Sequence, residues 1–512
     1  PLSVFPPEVR RDLLAELKTQ APFPRPPVAV TANATVTNNA GGVATVEPAA
    51  EPGDDLDGMT RHPEGNYAAT YTDPETTPVM VSEFGTWGLS DTDALEEFYG
   101  GEPDWYHHPF LTPTDESVNE RQVHLESNLR SPAGFKKRFQ ETTLPDTFDS
   151  LSDLAETWQW REYLSIKDLI EQMRVHDGIS GYIITEFTDI EWEFNGILDY
   201  RREEKAFHSE FATINNALLV TAEPKSHVAW SGDDISADVV VVNDGHEVHS
   251  GTVEWELVAD ESKDTVASGT LDVGVDAHAK SRTRTITVTA PQVDDCGRYT
   301  LDVSFDTATA TATNEEPVTV VNPSQSPNRD VEIFVQENYV ADRLIGSSYD
   351  VTRDLDGDVD LAIVSTFDEQ ARTFAEAGGT VLLVPPAHES APVDDLFEYR
   401  ELPEGENWNL CSALYAHDSP LLSDLTGSKR LDWSFEGIYP NALATGLDTD
   451  LDEIHIEYVE GWIANWGSPL VTRSVGDGHV STTTFPLGER YGEQPVATVL
   501  LDRLIDQVSN NN

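Results

Sequence analysis

The segment Val81-Ser82-Glu83-Phe84-Gly85-Thr86-Trp87-Gly88 sets a carboxylate at the end of an apolar run, followed by glycines and an indole. In a parallel barrel the carboxyl ends of the strands meet the substrate. A Trp beside a carboxylate there suits a sugar ring, with its apolar face and charged transition state. A glutamate that only caps a loop gives the same pattern in so acidic a chain. Trp105-Tyr106-His107-His108 adds two aromatic rings and adjacent imidazoles, with His124 further on. Adjacent histidines lack the spacing of a zinc site, so Trp105, Tyr106 and His107 are read as rim residues that stack on sugar. Asp354-Leu355-Asp356-Gly357-Asp358-Val359-Asp360 imitates a calcium loop, yet its glycine stands fourth rather than sixth. It is read as a solvated acidic turn. Neither a metal nor a cofactor is expected.

Glu83 needs a buried strand to hold it, and Pro78-Val79-Met80-Val81-Ser82 has the continuous apolar character of one. From Ser152 to Val175 apolar residues recur at helical spacing (Leu154, Trp158, Ile166, Leu169, Ile170, Met173), and Asp177-Gly178 ends the helix. A second apolar run follows at Gly181 to Thr185. Strand, excursion, helix, strand is the rhythm of a parallel α/β layer, here residues 76–215. Between residues 216 and 322 the period changes to two, with turns such as Asn243-Asp244-Gly245 between the strands. That pattern, and Tyr299 at a corner position, predict an immunoglobulin-like β-sandwich. After the linker Asn322 to Pro327, residues 328–512 return to strand and helix alternation and predict a flavodoxin-like or amidotransferase-like α/β domain. Pro385-Pro386 follows its central strand where a thiol nucleophile would stand, and Cys411 lacks a strand-turn-helix setting, so this domain is read as non-catalytic. Residues 1–75 are dense in Pro and Gly and poorly patterned beyond a helical stretch at Pro7–Leu17.

The 512 residues hold 92 Asp+Glu against 32 Lys+Arg, a formal charge of −60. A polyanion repels phosphate, which excludes nucleic acid as a partner. The acids are dispersed rather than gathered in a tail. Dispersal suits a halophilic protein, because near 1 M salt the Debye length shrinks to about 3 Å and self-repulsion disappears. No run approaches the length of a spanning helix and no leader is visible, so a cytoplasmic protein with no membrane contact is expected. Cys296 and Cys411 fall in different domains and form no disulfide framework; Cys296 is read as a core filler.

Gly181-Tyr182-Ile183-Ile184-Thr185-Glu186-Phe187-Thr188-Asp189-Ile190-Glu191-Trp192-Glu193-Phe194-Asn195-Gly196-Ile197, with Arg201 and Lys205 downstream, resembles the eighth barrel strand and exit loop of glycoside hydrolase family 2. That family comprises β-galactosidases, β-glucuronidases and β-mannosidases. Ser82-Glu83-Phe84-Gly85 resembles its seventh-strand motif. The resemblance covers residues 76–215 and implies a partial (β/α)8 barrel in which Glu83 is the nucleophile of a retaining β-glycosidase, forming a glycosyl-enzyme intermediate that water hydrolyses. It implies that Asp189 and Asn195 shape the exit loop at the substrate, with Trp87 and Trp192 beside the sugar. Better-known members carry a Trp where Thr185 stands, so the sugar preference of those members does not transfer.

The family's acid/base Glu follows an Asn well upstream of the nucleophile, whereas none of the 82 residues before Glu83 reads Asn-Glu. The chain therefore resembles the carboxy-terminal half of such an enzyme. A retaining mechanism needs two carboxyls about 5 Å apart. Within the chain the candidates are Glu186, which better suits binding a sugar hydroxyl or a neighbouring Arg, and Glu120 of Asn119-Glu120, downstream of the nucleophile instead of upstream. The acid/base is expected on a second subunit carrying the front half of the barrel, in an oligomer acting on carbohydrate. The alternative is a non-catalytic carbohydrate-binding or scaffold subunit that keeps the fold alone.

Overall fold

The computed structural model describes residues 79–107, 132–177, 179–190, 193–322, 331–355, 359–386, 391–402, 412–440, 442–463 and 465–510. Before them it describes the backbone of four short strands, Ala34–Thr37, Val43–Pro48, Met59–Arg61 and Tyr67–Ala69. The helical stretch expected at Pro7–Leu17 lies outside the described residues.

The two apolar runs become strands Val79–Gly85 and Ile179–Ile184, paired in parallel with Val81 opposite Tyr182 and Phe84 opposite Ile184. The chain returns between them through the 25-residue helix Leu151–Val175. Ser150 starts that helix: its hydroxyl accepts the Asp153 N–H at 3.1 Å, a cap worth about 1 kcal/mol. Ile166, Leu169, Ile170 and Met173, three or four residues apart, then cover Val81, Phe84 and Ile179 on one face of the sheet.

The rest of this sheet departs from the expected parallel pattern. Val43–Pro48 lies antiparallel on the other edge of Val79–Gly85, and Ala34–Thr37 lies antiparallel beyond it. The segment read as poorly patterned thus supplies two of the sheet's four strands. Its Val and Thr residues are stiff at χ1 and favour extended backbone, a signal obscured in the sequence by the Gly and Pro around them.

Residues 218–321 form two packed sheets. One has five strands, Thr265–Val275, His249–Ala259, Cys296–Thr307, Thr311–Val321 and Val228–Trp230 in spatial order. The other has three, Ala279–Thr289, Asp234–Asn243 and Leu218–Pro224. All their pairings are antiparallel except that of Val228–Trp230 with Thr311–Val321. Alternate residues such as Val239, Val241, Val253, Leu301, Val303 and Phe305 fill the space between the sheets. Tyr299 is buried in that core, and Cys296 is half-buried, donating to the Asp424 carbonyl at 3.0 Å.

The carboxy-terminal unit holds a ten-stranded sheet. Five of its strands are parallel, in the spatial order Asp350–Thr352, Glu332–Val335, Leu361–Val364, Thr380–Leu383, Gly478–Thr483. Numbered along the chain this is 2-1-3-4-5, an order shared by open doubly wound sheets. Beyond Gly478–Thr483 the sheet continues antiparallel through Asn465–Val475, Asp452–Glu460 and Ser412–Ala416, an extension the sequence reading missed. Trp462 at the end of one of these strands enters the core of the amino-terminal unit, where it meets Trp87, Tyr106, Phe135 and Phe194 with ring centroids 4.6 to 5.8 Å apart. No described helix is long and apolar enough to cross a membrane.

Candidate functional site

Parallel pairing brings the carboxyl ends of Val79–Gly85 and Ile179–Ile184 to the same edge of the sheet. Thr185 N–H donates to the Phe84 carbonyl at 2.9 Å, so the residues after each strand begin side by side. Glu83 lies near the end of the first strand, its backbone opposite Thr45, while its side chain falls outside the described residues. Glu186 opens the second exit loop. Its N–H donates to Asn195 O at 3.0 Å and its carbonyl accepts from Ile197 N–H at 3.3 Å, closing the loop on itself. Asn195 adds a bond from Nδ2 to the Thr185 carbonyl at 2.9 Å. The Thr185–Glu186 peptide is cis.

Beneath this edge lies a dry charge cluster. Lys205 Nζ stands 2.9 Å from Asp189 Oδ1 and 2.9 Å from Glu162 Oε2, and all three side chains are fully shielded from solvent. Its third N–H faces the Gly88 and Phe194 carbonyls, 3.2 and 3.1 Å away. Asp189 also accepts from Ser90 Oγ at 2.5 Å and from Gly196 N–H at 2.8 Å. One ammonium therefore ties both exit loops to the long helix. Burial raises the Asp189 carboxyl to about 6 against the pull of Lys205, and raises Glu162 well above the usual carboxylate range. Burial opposes the charge on Lys205 too, but Asp189 and Glu162 outweigh it and raise its pKa. Two glycines permit the packing: a Cβ on Gly88 would collide with the Glu162 carboxylate, and one on Gly196 with the backbone of Thr188 and Asp189.

Aromatic residues expected at a sugar-facing rim are placed differently. Trp87 is 2% exposed, stacked on Phe194 at 5.3 Å and met edge-on by Trp158 and Trp462. Tyr106 is wholly buried in the same cluster, and Trp105 packs half-buried beside Tyr106, Tyr200 and Trp462. Trp462 comes from more than 350 residues further along the chain and covers these rings, which is why they form a core instead of a platform. His107 is exposed and pairs with Glu102 at 3.0 Å. Trp192, His108, Glu120, His124, Cys411 and the middle of the Asp354 loop lie outside the described residues. Among the described residues no group of three or more His, Cys, Asp or Glu is placed to hold a metal ion.

Structure thus brings together Glu83, Glu186, Asp189 and Asn195 on adjoining strand ends and loops, and separates Trp87, Trp105 and Tyr106 into a core. It adds Glu162, Ser90 and Lys205, which motif reading did not single out as site residues. Lysine supplies a signal that would have found one of them: only nine occur in 512 residues. A Lys just beyond an acid-rich exit loop is therefore a rare cation.

No protein-family model matches the sequence, and no curated protein matches it. Among solved structures, a β-D-mannosidase from Dictyoglomus thermophilum is similar at 16% identity over 46% of this chain, with a TM-score of 0.32. An exo-chitosanase from Amycolatopsis orientalis is similar at 12% identity over 46% of this chain, with a TM-score of 0.28. A red sea bream transglutaminase is similar at 12% identity over 24% of the chain, with a TM-score of 0.19. This chain spans 27%, 26% and 19% of those three chains. Likeness at that level assigns neither fold nor activity.

Proposed function

We propose that this chain is a component of a retaining β-glycosidase of the family 2 type, supplying Glu83 as nucleophile and relying on a partner chain for the acid/base. The observation that carries the reading is the parallel pairing of Val79–Gly85 with Ile179–Ile184 across one long helix. Two neighbouring strands of a (β/α)8 barrel have that geometry, and both strand ends bear a carboxylate at the edge where barrel enzymes act. On this reading Glu83 attacks the anomeric carbon, and the glycosyl ester is released by water under general base catalysis. Glu186 contacts the substrate or serves as the second carboxyl. Asp189 and Asn195 position the loop, and residues 216–322 and 328–512 are an immunoglobulin-like sandwich and a flavodoxin-like domain that serves packing and assembly.

A second reading has its own observation. Val43–Pro48 occupies, antiparallel, the edge of Val79–Gly85 where a complete barrel would seat a sixth parallel strand. A closed-off sheet favours a non-catalytic carbohydrate-binding or scaffold subunit. Purification from the native source and reconstitution distinguish the two. The enzyme reading expects a partner with Asn-Glu after a barrel strand, and retaining β-glycosidase activity of the pair that Glu83→Gln abolishes. Full activity of the lone chain, or activity of the pair insensitive to Glu83→Gln, contradicts it.

A further inference from the structure

In a chain with 92 acidic residues an imidazole is expected to settle beside a carboxylate, and His107, His208, His227, His417 and His455 each lie within 4.0 Å of a glutamate. His246 and His278 face each other instead. His278 Nε2 stands 2.9 Å from His246 Nδ1, with ring centroids 4.6 Å apart and ring planes at 82°. Both rings are exposed, and neither makes an ion pair among the described residues.

Two crossings between the sheets, at one end of the sandwich, bring the rings together. His246 lies in the loop that leads from Asp234–Asn243 in the three-stranded sheet to His249–Ala259 in the five-stranded one, and His278 in the turn from Thr265–Val275 back to Ala279–Thr289. The buried Asn243 amide bolts loop to turn. Its Nδ2 donates to the Glu247 carbonyl at 2.7 Å and the Asp276 carbonyl at 2.9 Å, while its Oδ1 accepts the Gly245 N–H at 3.0 Å. His278 N–H donates to the Gly245 carbonyl at 3.2 Å, from a left-handed backbone at φ 53°. Both ring-bearing segments are thus fixed before a ligand arrives, which lowers the ordering cost of binding one. Beside them Arg174, in the last turn of the long helix, pairs with Asp244 at 2.9 Å, so the unit bearing Glu83 docks on this same loop.

Two imidazole nitrogens at 2.9 Å can share one proton or one metal ion. With metal–nitrogen bonds of about 2.0–2.1 Å, that separation subtends about 90° at the ion, the angle between neighbouring positions of an octahedral or square-planar sphere. A tetrahedral ion needs the nitrogens only about 0.4 Å further apart. Two protein ligands leave the other positions to water, which suits an exchangeable ion. The acidic surface draws divalent cations of every kind, whereas neutral imidazole favours Ni²⁺, Cu²⁺ and Zn²⁺ over Mg²⁺.

We propose that His246 and His278 bind one divalent transition-metal ion, which clips the two sheet-crossing connections together. The site shares no residue with the glycosidase reading. Calorimetric titration of the full chain with Ni²⁺ and with Zn²⁺ tests it, with Mg²⁺ as the control for binding to the carboxylate surface. Molar KCl near neutral pH screens that surface. One Ni²⁺ or Zn²⁺ per chain should bind about tenfold or more tighter than Mg²⁺. His246→Gln should weaken that ion about tenfold or more. So should His278→Asn, which removes the imidazole but keeps a residue that tolerates left-handed backbone. Both rings are exposed, so these variants keep the fold. His208→Gln, which removes an imidazole elsewhere on the chain, should leave binding unchanged. At saturation the ion should raise the thermal unfolding midpoint of the unaltered chain and not that of His278→Asn. Absence of a saturable site, equal affinity for Mg²⁺, a loss under tenfold in either variant, or a midpoint the ion does not move overturns the proposal.

Discussion

Replacing Lys205 by Met removes the cation between two buried carboxylates while keeping an unbranched stem of similar length. Nζ sits 2.9 Å from Asp189 and from Glu162, with none of the three side chains open to water, so solvent screening does not soften the loss. Removing one partner of a buried pair costs about 3–5 kcal/mol when the remaining charge stays ionised. Here both carboxyls can escape by binding protons, which makes the cost depend on pH. A carboxyl whose folded pKa is raised contributes stability that is present below its unfolded pKa and is lost as pH rises through the folded value. For Asp189 that window runs from its ordinary 3.8 to about 6, and Glu162 is raised as well. Without Lys205 both folded values rise further, so the variant meets its full penalty on the alkaline side. We expect urea denaturation in molar KCl to give a loss of about 3–5 kcal/mol at pH 8, shrinking to about 1–2 kcal/mol at pH 5. A loss under about 1 kcal/mol at pH 8, or one that does not change with pH, refutes the reasoning.

Other consequences follow from a buried histidine, the shared aromatic core and the exit loop. His227 is buried between Glu316 at 3.4 Å and Glu436 at 3.1 Å and stacks on Trp433 at 4.9 Å. Burial disfavours its charge, but those two carboxylates raise it to about 10, so its contribution is complete below about 6.5 and disappears as pH rises through 10. Trp433 fluorescence should report loosened docking of the carboxy-terminal unit over that range, and His227→Gln should flatten the profile. Trp462→Ala should cost about 3–5 kcal/mol in the same denaturation assay, because its ring fills the core shared by two units. Gly88→Ala should cost about 1–3 kcal/mol by pushing on Glu162, whereas Gly274→Ala, whose Cβ would meet open space, should cost under 1 kcal/mol.

What the sequence made legible was local. The helix ending at Val175 could be read because its apolar residues keep one face for seven turns, and the sandwich because its alternation is sustained over strands of ten or more residues. Illegible were the features set by distant partners. Trp87 beside Glu83 has the composition of a sugar platform, and its packing against Trp158, Phe194 and Trp462, all distant in the chain, makes it a core residue. Val43–Pro48 has a strand's composition but no local sign of which edge it will join. Lys205 and Glu162 are 43 residues apart on elements that carry no shared motif.

The central claim, that Glu83 is a nucleophile, is tested most directly by a mechanism-based 2-deoxy-2-fluoroglycoside followed by peptide mass analysis. The labelling is done on the chain purified from its native source, together with whatever chain travels with it. The account expects one covalent sugar on the peptide containing Glu83 and none in Glu83→Gln. A label on Glu186 or on the partner instead, or no label from a panel of β-configured fluorosugars while the complex hydrolyses the matching substrates, would contradict it.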